Sequence, residues 1–219
     1  NLLVRTIRRL SLATWLLPLT KLFARIRVDG LQHLRALNEP VVFASNHQSH
    51  LDTPVILAAL PPQWRYRTAV AMAKGFFKAH FHPEGLTWHT RLTNSLNYYL
   101  ATFFFNTFPL PQREIGTRQT LRYMGELAEE GLSILIFPEG RRTDYGEINS
   151  FRPGIGMIGV RLGLPIVPVR IEGLDKVLHH SWHMAKPGRV HVTFGEPIRT
   201  SGEDYTKLTA SVQEAVSRL

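Results

Sequence analysis

The stretch Val41-Val42-Phe43-Ala44-Ser45-Asn46-His47-Gln48-Ser49-His50-Leu51-Asp52-Thr53-Pro54 decides how the chain is read. Its first five residues are continuously apolar or small, as expected of a strand covered on both faces. Polar residues follow at once, and a helical pattern then runs over Thr53–Leu60, opened by a Thr-Pro pair. Strand, polar loop and helix in that order make the repeating unit of an α/β fold. Ser133–Phe137 has the same buried-strand character. Further β-rich runs occupy Arg25–Val28, Thr68–Ala73, Pro165–Ile171 and Arg189–Phe194. Helical patterns separate them at a long segment near His89–Phe105, then at Thr117–Glu130, Ile155–Leu162 and Asp204–Leu219. The expected fold is one α/β domain over residues 25–219, a mixed and largely parallel sheet flanked by helices. An N-terminal amphipathic helical segment, residues 1–24, precedes it.

Composition narrows the function classes. The 219 residues carry 26 Lys+Arg against 17 Asp+Glu, a formal net charge of +9, and 44% are hydrophobic. That apolar content excludes intrinsic disorder. With 0 Cys, disulfide scaffolds, thiolate metal sites and any acyl-cysteine intermediate are excluded. A pI near 10.2 calls for an anionic partner: nucleic acid, an anionic lipid surface or a phosphorylated substrate. The first residue is Asn1, so the chain reads as a piece of a longer product, compatible with a larger multidomain chain.

No stretch reads as a membrane span. The longest uncharged run, Leu92 to Gln112, is interrupted by Thr, Asn and Ser residues and ends among Pro109 and Pro111, whereas a spanning helix needs about 20 mostly apolar residues. Residues 2–26 instead read as a basic amphipathic helix. Leu3, Ile7, Leu10 and Leu17 interleave with Arg5, Arg8, Arg9, Lys21 and Arg25, and Pro18 is expected to kink or divide it. Two placements stay open, in a membrane interface with arginines toward phosphates or packed on its own domain.

Chemistry concentrates where strands end, because α/β sheets place ligands at the carboxyl ends of their strands. His47 and Asp52, five residues apart after the first buried strand, can meet across a turn. The carboxylate would then hold one ring nitrogen and leave the other to take a proton from a hydroxyl. Asp52 ahead of Thr53-Pro54 also suits a helix N-cap. His50 is the rival base but has less room to turn back to Asp52. After the second buried strand, Phe137-Pro138-Glu139-Gly140-Arg141-Arg142-Thr143 enforces a turn expected to expose Glu139 and two guanidiniums at the same sheet edge. Arg141 and Arg142 could take a phosphate through paired charge-assisted hydrogen bonds; a solvated charged loop is the alternative. Arg113 offers a third cation near an expected loop at Phe108–Gln112.

Two patterns are set aside. Gly154-Ile155-Gly156-Met157-Ile158-Gly159 matches a dinucleotide-binding string but lacks the strand that must precede it; close helix packing explains it better. His179, His180 and His183 have no neighbouring carboxylate or Cys in sequence, so no metal site is expected.

Taken in order, these blocks resemble the 1-acylglycerol-3-phosphate acyltransferase family. Asn46, His47 and Asp52 match its Asn-His-x-x-x-x-Asp block, and Phe137–Arg142 its Phe-Pro-Glu-Gly-x-Arg block. Phe108–Arg113 is similar to a middle block ending in a phosphate-binding Arg, and Phe151–Gly154, Pro165–Val169 and Gly195-Glu196-Pro197 fit later ones. Arg141 departs from the small hydroxyl residue usual after Glu-Gly. An insert rich in His and aromatic residues, about 79–105, lengthens the middle; it could touch lipid, cap an acyl channel or pack on the fold.

The resemblance implies an O-acyltransferase moving a fatty acyl group from acyl-CoA or acyl-carrier protein to a lysophospholipid hydroxyl, foremost that of lysophosphatidic acid. His47 and Asp52 would be catalytic, and Arg113, Glu139, Gly140, Arg141 and Arg142 substrate-binding. It implies no metal and no cofactor besides the acyl donor. The protein would work at a phospholipid surface, peripheral or monotopic on the cytoplasmic face. Another acceptor, such as lysophosphatidylethanolamine, or a non-catalytic lipid-binding role are the alternatives. Scattered cations without a recognised motif argue against a nucleic-acid partner.

Overall fold

The alternation of apolar strands and helices produces one seven-stranded sheet in a computed structural model that describes residues 2–73, 87–90, 95, 103–110, 117–144, 146–179, 181, 184–199 and 204–219. In chain order the helices are α1 (Leu2–Ser11), α2 (Leu17–Phe23), α3 (Gln32–Arg35), α4 (Asp52–Ala59), α5 (Pro62–Arg65), α6 (Thr117–Glu129), α7 (Gly154–Leu162) and α8 (Tyr205–Arg218). The strands are β1 (Ala24–Asp29), β2 (Val42–Ser45), β3 (Thr68–Ala73), β4 (Thr107–Leu110), β5 (Ser133–Ile136), β6 (Ile166–Glu172) and β7 (Gly188–Phe194). Their order across the sheet is β1-β7-β6-β2-β5-β3-β4. Every pairing is parallel except β6 with β7, so the expected mixed, largely parallel sheet is present.

β2 and β5 lie side by side at the centre, and all their residues are buried. Alternate side chains feed two cores. Phe43, Leu135, Val70 and Val167 pack with Val55 and Ile56 of α4, and with Leu60 just after it, on one face. Val42, Ala44, Ile134 and Ile136 pack with Met124 of α6, Ile155 of α7 and Leu208 of α8 on the other. Burial of both faces explains why β2 and β5 read as uninterrupted apolar runs. Because the two strands are parallel neighbours, the loops leaving their carboxyl ends, 46–51 and 137–153, open onto one edge.

Three local readings change. Phe108–Leu110, where no strand was expected, lies in β4, which among the described residues pairs with β3 alone at the sheet edge and carries Pro109 opposite Met72. An edge strand tolerates the missing N–H that a central one would not. The N-terminal helix ends at Phe23, not 26, and is not uniform: a π-helical turn, Leu12–Leu16, separates α1 from α2. There Leu17 N–H donates to Leu12 O five residues back, just before Pro18, whose ring has no N–H to continue the ladder. Leu12 and Leu17 face the protein, whereas Leu3, Leu10 and Leu22 are 58–67% exposed. Among the described residues no helix is long and apolar enough to cross a membrane. Most of His89–Phe105, and Arg113 with its loop, fall outside the described residues.

Candidate active site

Local geometry at the end of β2 is set by two buried polar side chains. Asn46 pairs like a strand residue, its Nδ2 donating to Ile171 O at 2.9 Å and its Oδ1 accepting from Ile171 N–H at 2.8 Å. This ties the loop to β6 and turns the next residue outward. Asp52 is the first residue of α4, not its cap, a position Leu51 occupies. Its Oδ2 accepts from Gln48 N–H at 2.8 Å and Ser49 N–H at 2.9 Å, which folds the loop back. The same oxygen lies 2.5 Å from His47 Nδ1. The helix dipole favours a negative charge at this first turn.

The imidazole is therefore fixed from two sides. Asp52 holds Nδ1, which places the ring proton there and leaves the Nε2 lone pair uncommitted by the dyad. Phe137 stacks on the ring with centroids 4.3 Å apart and planes 21° from parallel. Asp52 is buried and the His47 side chain keeps 18% exposure, enough to meet a substrate while the carboxylate stays dry.

The β5 loop then grips the backbone of His47. Glu139 Oε1 accepts from His47 N–H at 2.8 Å, and Thr143 N–H donates to His47 O at 2.8 Å. Glu139 Oε2 accepts from Asn149 N–H at 2.8 Å, so one carboxyl joins both loops. Burial pushes this carboxyl up from an ordinary 4.5 to about 7; the two backbone N–H groups pull the other way, and the charge of Asp52 adds to the rise. The expectation that Glu139 would be exposed is corrected: it is 3% exposed, and it is not among the residues that line the cavity. A glutamate between two loops that each present an N–H is drawn inward by those donors.

A cavity of about 670 Å³ opens beside His47, within the ~300–1,000 Å³ usual for small-molecule sites. Its floor is apolar, built from Met72 of β3, Leu110 of β4, Leu121 and Met124 of α6, Ile136 of β5 and Met157 of α7. His47, His50, Gly140, Arg141 and Arg142 line it too, so the structure gathers these expected residues. Gly140 has φ +69°, a left-handed conformation that favours glycine at this turn. Arg141 is exposed and donates to Asn149 Oδ1 at 3.2 Å. Arg142 is partly buried; burial lowers its pKa against the opposing pull of Asp52. Its Nε, Asp52 Oδ1 and Gln48 Oε1 are buried with no hydrogen-bond partner among the described residues.

Sequence reasoning missed Arg152, a third cation on the cavity wall, although its place in Phe151-Arg152-Pro153-Gly154 was a usable signal. It also treated His179 as lacking a carboxylate, whereas the fold brings Asp144 Oδ1 to 3.1 Å from His179 Nε2. His180 and His183 lie outside the described residues. The Gly-rich string behaves as expected of close packing: a Cβ on Gly156 would sit 2.1 Å from Tyr205 O of α8.

Comparison with known proteins places this geometry. Residues 25–172 match the family described as Acyltransferase. The human 1-acyl-sn-glycerol-3-phosphate acyltransferase beta is 30% identical over 201 residues, 90% of this chain and 65% of that protein. The Arabidopsis thaliana chloroplastic 1-acyl-sn-glycerol-3-phosphate acyltransferase LPAT1 is 27% identical over 184 residues, 83% of this chain and 46% of that protein. This chain thus spans between about half and two thirds of the length of these relatives. In fold it is similar to the crystal structure of the 1-acyl-sn-glycerophosphate acyltransferase PlsC from Thermotoga maritima, with a TM-score of 0.65, 22% identity, and coverage of 98% of this chain and 76% of that one. With the family pattern spanning both the His47 loop and the Glu139 loop, the chain belongs to the acyltransferase family.

Proposed function

We propose that the protein is an O-acyltransferase that moves a fatty acyl group from a thioester, acyl-CoA or acyl-carrier protein, to the free hydroxyl of 1-acylglycerol-3-phosphate, giving phosphatidic acid. The observation that carries this is the His47–Asp52 pair beside a cavity lined both by apolar side chains and by Arg141, Arg142 and Arg152. The names of the relatives point the same way.

In this reading His47 Nε2 takes the hydroxyl proton as the oxygen attacks the thioester carbonyl. A C–O bond forms, the tetrahedral oxyanion collapses, the C–S bond breaks, and the imidazolium returns its proton to the departing thiolate. Asp52 fixes the tautomer and balances the imidazolium. The N–H groups of Gln48 and Ser49 are taken by Asp52, so oxyanion stabilisation falls to other donors. Arg142, with Arg141 and Arg152, holds the acceptor phosphate, and Arg113 joins them as the family blocks imply. Gly140 lets the loop approach, Glu139 braces His47 from behind, and the apolar floor takes an acyl chain. No metal or cofactor besides the donor takes part.

The segment 1–24 would seat the enzyme on a phospholipid surface as a peripheral or monotopic protein on the cytoplasmic face. Exposed Leu3, Ile7, Leu10, Trp15, Leu19 and Leu22 support this. No nucleic-acid partner takes part in this reading. The test incubates the protein with labelled oleoyl-CoA and a panel of lysolipids, including lysophosphatidic acid, lysophosphatidylethanolamine and a phosphate-free acceptor. Phosphatidic acid as the dominant product is expected; acylation of only the phosphate-free acceptor would overturn the assignment.

A further inference from the structure

A second, small cavity, about 30 Å³, lies at the opposite edge of the sheet. Its lining includes Thr68 at the start of β3, Asn106 just before β4 and Leu132 just before β5. The catalytic crevice meets the same strand at Met72, four residues along, or about 13 Å at the strand rise. Nothing in the acyl-transfer reading uses this place.

Its lining is unusual in charge. Arg5, Arg8 and Arg9 reach it from α1 and Arg65 from α5, with no Asp or Glu among the described residues of the lining. On α1 the spacing puts Arg5, Arg8, Arg9 and Leu12 on one face, opposite the exposed Leu3, Ile7 and Leu10. The arginines therefore face the domain, not the side where an apolar surface would be buried.

These cations are also held in place. Arg65 donates from Nε to Leu57 O at 2.6 Å and from Nη2 to Ala58 O at 3.1 Å and Leu60 O at 2.8 Å, capping the carbonyl end of α4. Arg9 and Arg65 both lie against the Tyr66 ring, 5.6 and 5.9 Å from its centroid. Arg8 Nε donates to Phe103 O. Burial lowers the Arg8 pKa, and the nearby charge of Arg5 lowers it further. Like charges gathered on a positioned frame repel one another unless an anion joins them.

We propose that this pocket binds a phosphate-type oxyanion, the oxygens of a phosphate monoester or diester, which clamps α1 to the corner between α4 and α5. The volume admits about two water-sized groups, enough for two phosphate oxygens with the rest of the ligand outside. Planar guanidiniums that pair with such oxygens two at a time fit that geometry. Bound there, the anion fixes the helix that carries the exposed apolar stripe, so membrane affinity and anion binding become linked.

The test compares the full chain with R5Q/R9Q. Both positions are exposed and neither supplies the Arg65 bonds to the α4 carbonyls, which the variant keeps; R9Q alone is the fallback if the double variant does not fold. R35Q/R118Q, at exposed positions elsewhere, removes the same charge as a control. One arm measures the rise in Tm with inorganic phosphate at constant ionic strength set by chloride. The other measures sedimentation with phosphatidylcholine vesicles with and without phosphatidic acid.

We expect phosphate affinity to fall at least about tenfold in R5Q/R9Q and to hold in the control. If that happens and vesicle binding does not distinguish the two variants, the ligand is a soluble phosphate. If the phosphatidic acid-dependent binding is lost in R5Q/R9Q alone together with the phosphate effect on Tm, the ligand is a lipid headgroup; vesicle binding lost with phosphate affinity unchanged is general charge attraction and overturns the pocket. Equal behaviour of R5Q/R9Q and the control in both arms overturns the site. Acyl transfer is assayed separately, so this result leaves the catalytic proposal untouched.

Discussion

Substituting Glu139 by Gln separates its charge from its shape and tests whether burial governs this carboxyl. Gln keeps the volume but presents an amide NH₂ to one of two buried N–H groups, those of His47 and Asn149. Leaving one such donor unmatched costs about 1–3 kcal/mol. That loss is present where the wild-type carboxyl holds its proton and where it does not. The charge effect depends on pH. Raising the folded-state pKa from 4.5 to about 7 means the native state binds this proton more tightly than the unfolded chain. Stability from this group is then fully present below pH 4.5 and is lost as pH rises through about 7. The difference corresponds to about 3 kcal/mol. Urea unfolding of wild type and E139Q at matched pH, from about 4.5 to 8, gives the difference between the two proteins and cancels the other titrating groups. The variant is expected to be the less stable at low pH and to recover relative to wild type by about 3 kcal/mol as pH rises. A difference that stays flat across that range would refute the claim that burial holds this carboxyl near neutral.

Three other outcomes follow from the same geometry. Gly156→Ala drives a Cβ toward Tyr205 O at 2.1 Å and should cost about 1–3 kcal/mol; at about 2–4 °C per kcal/mol for a chain this size, calorimetry should show a clear loss of Tm. Leu121→Trp, at a partly buried position on the cavity wall, narrows the apolar part of the cavity and should shift donor preference toward shorter acyl chains, read by competition between donors of different length. Removing residues 1–21, or changing Leu3, Leu10 and Leu22 together to Ser, should weaken binding to anionic vesicles; added salt should weaken the wild type too, because each Lys or Arg near such a surface contributes about 1 kcal/mol.

How far the chain could be read in advance depended on whether a signal was local. β3 matches its expected span of Thr68–Ala73, and β2 and β5 match to within a residue at one end, because burial on both faces leaves an unbroken apolar run. His47 and Asp52 were legible because a five-residue spacing closes within one loop. β4 was not, since Pro109 argues against a central strand and only tertiary placement makes it an edge. The burial of Glu139 was equally hidden, as its donors come from residues 92 positions before it and 10 after it. The His179–Asp144 contact and the four-arginine pocket likewise join segments far apart in sequence. The π-helical turn ahead of Pro18 could be anticipated only as a break, because the missing N–H says where a ladder fails and not how it recovers.

In the proposed mechanism His47, oriented by Asp52, is the base that activates the acceptor hydroxyl. The most direct test of this role is the rate of phosphatidic acid formation from oleoyl-CoA and lysophosphatidic acid by wild type and His47→Ala, with product identified by mass and folding checked by circular dichroism. Loss of a positioned general base predicts a fall of about 10²–10⁴ in turnover in a protein that keeps its wild-type spectrum. Turnover near the wild-type rate in a folded His47→Ala protein would contradict the account.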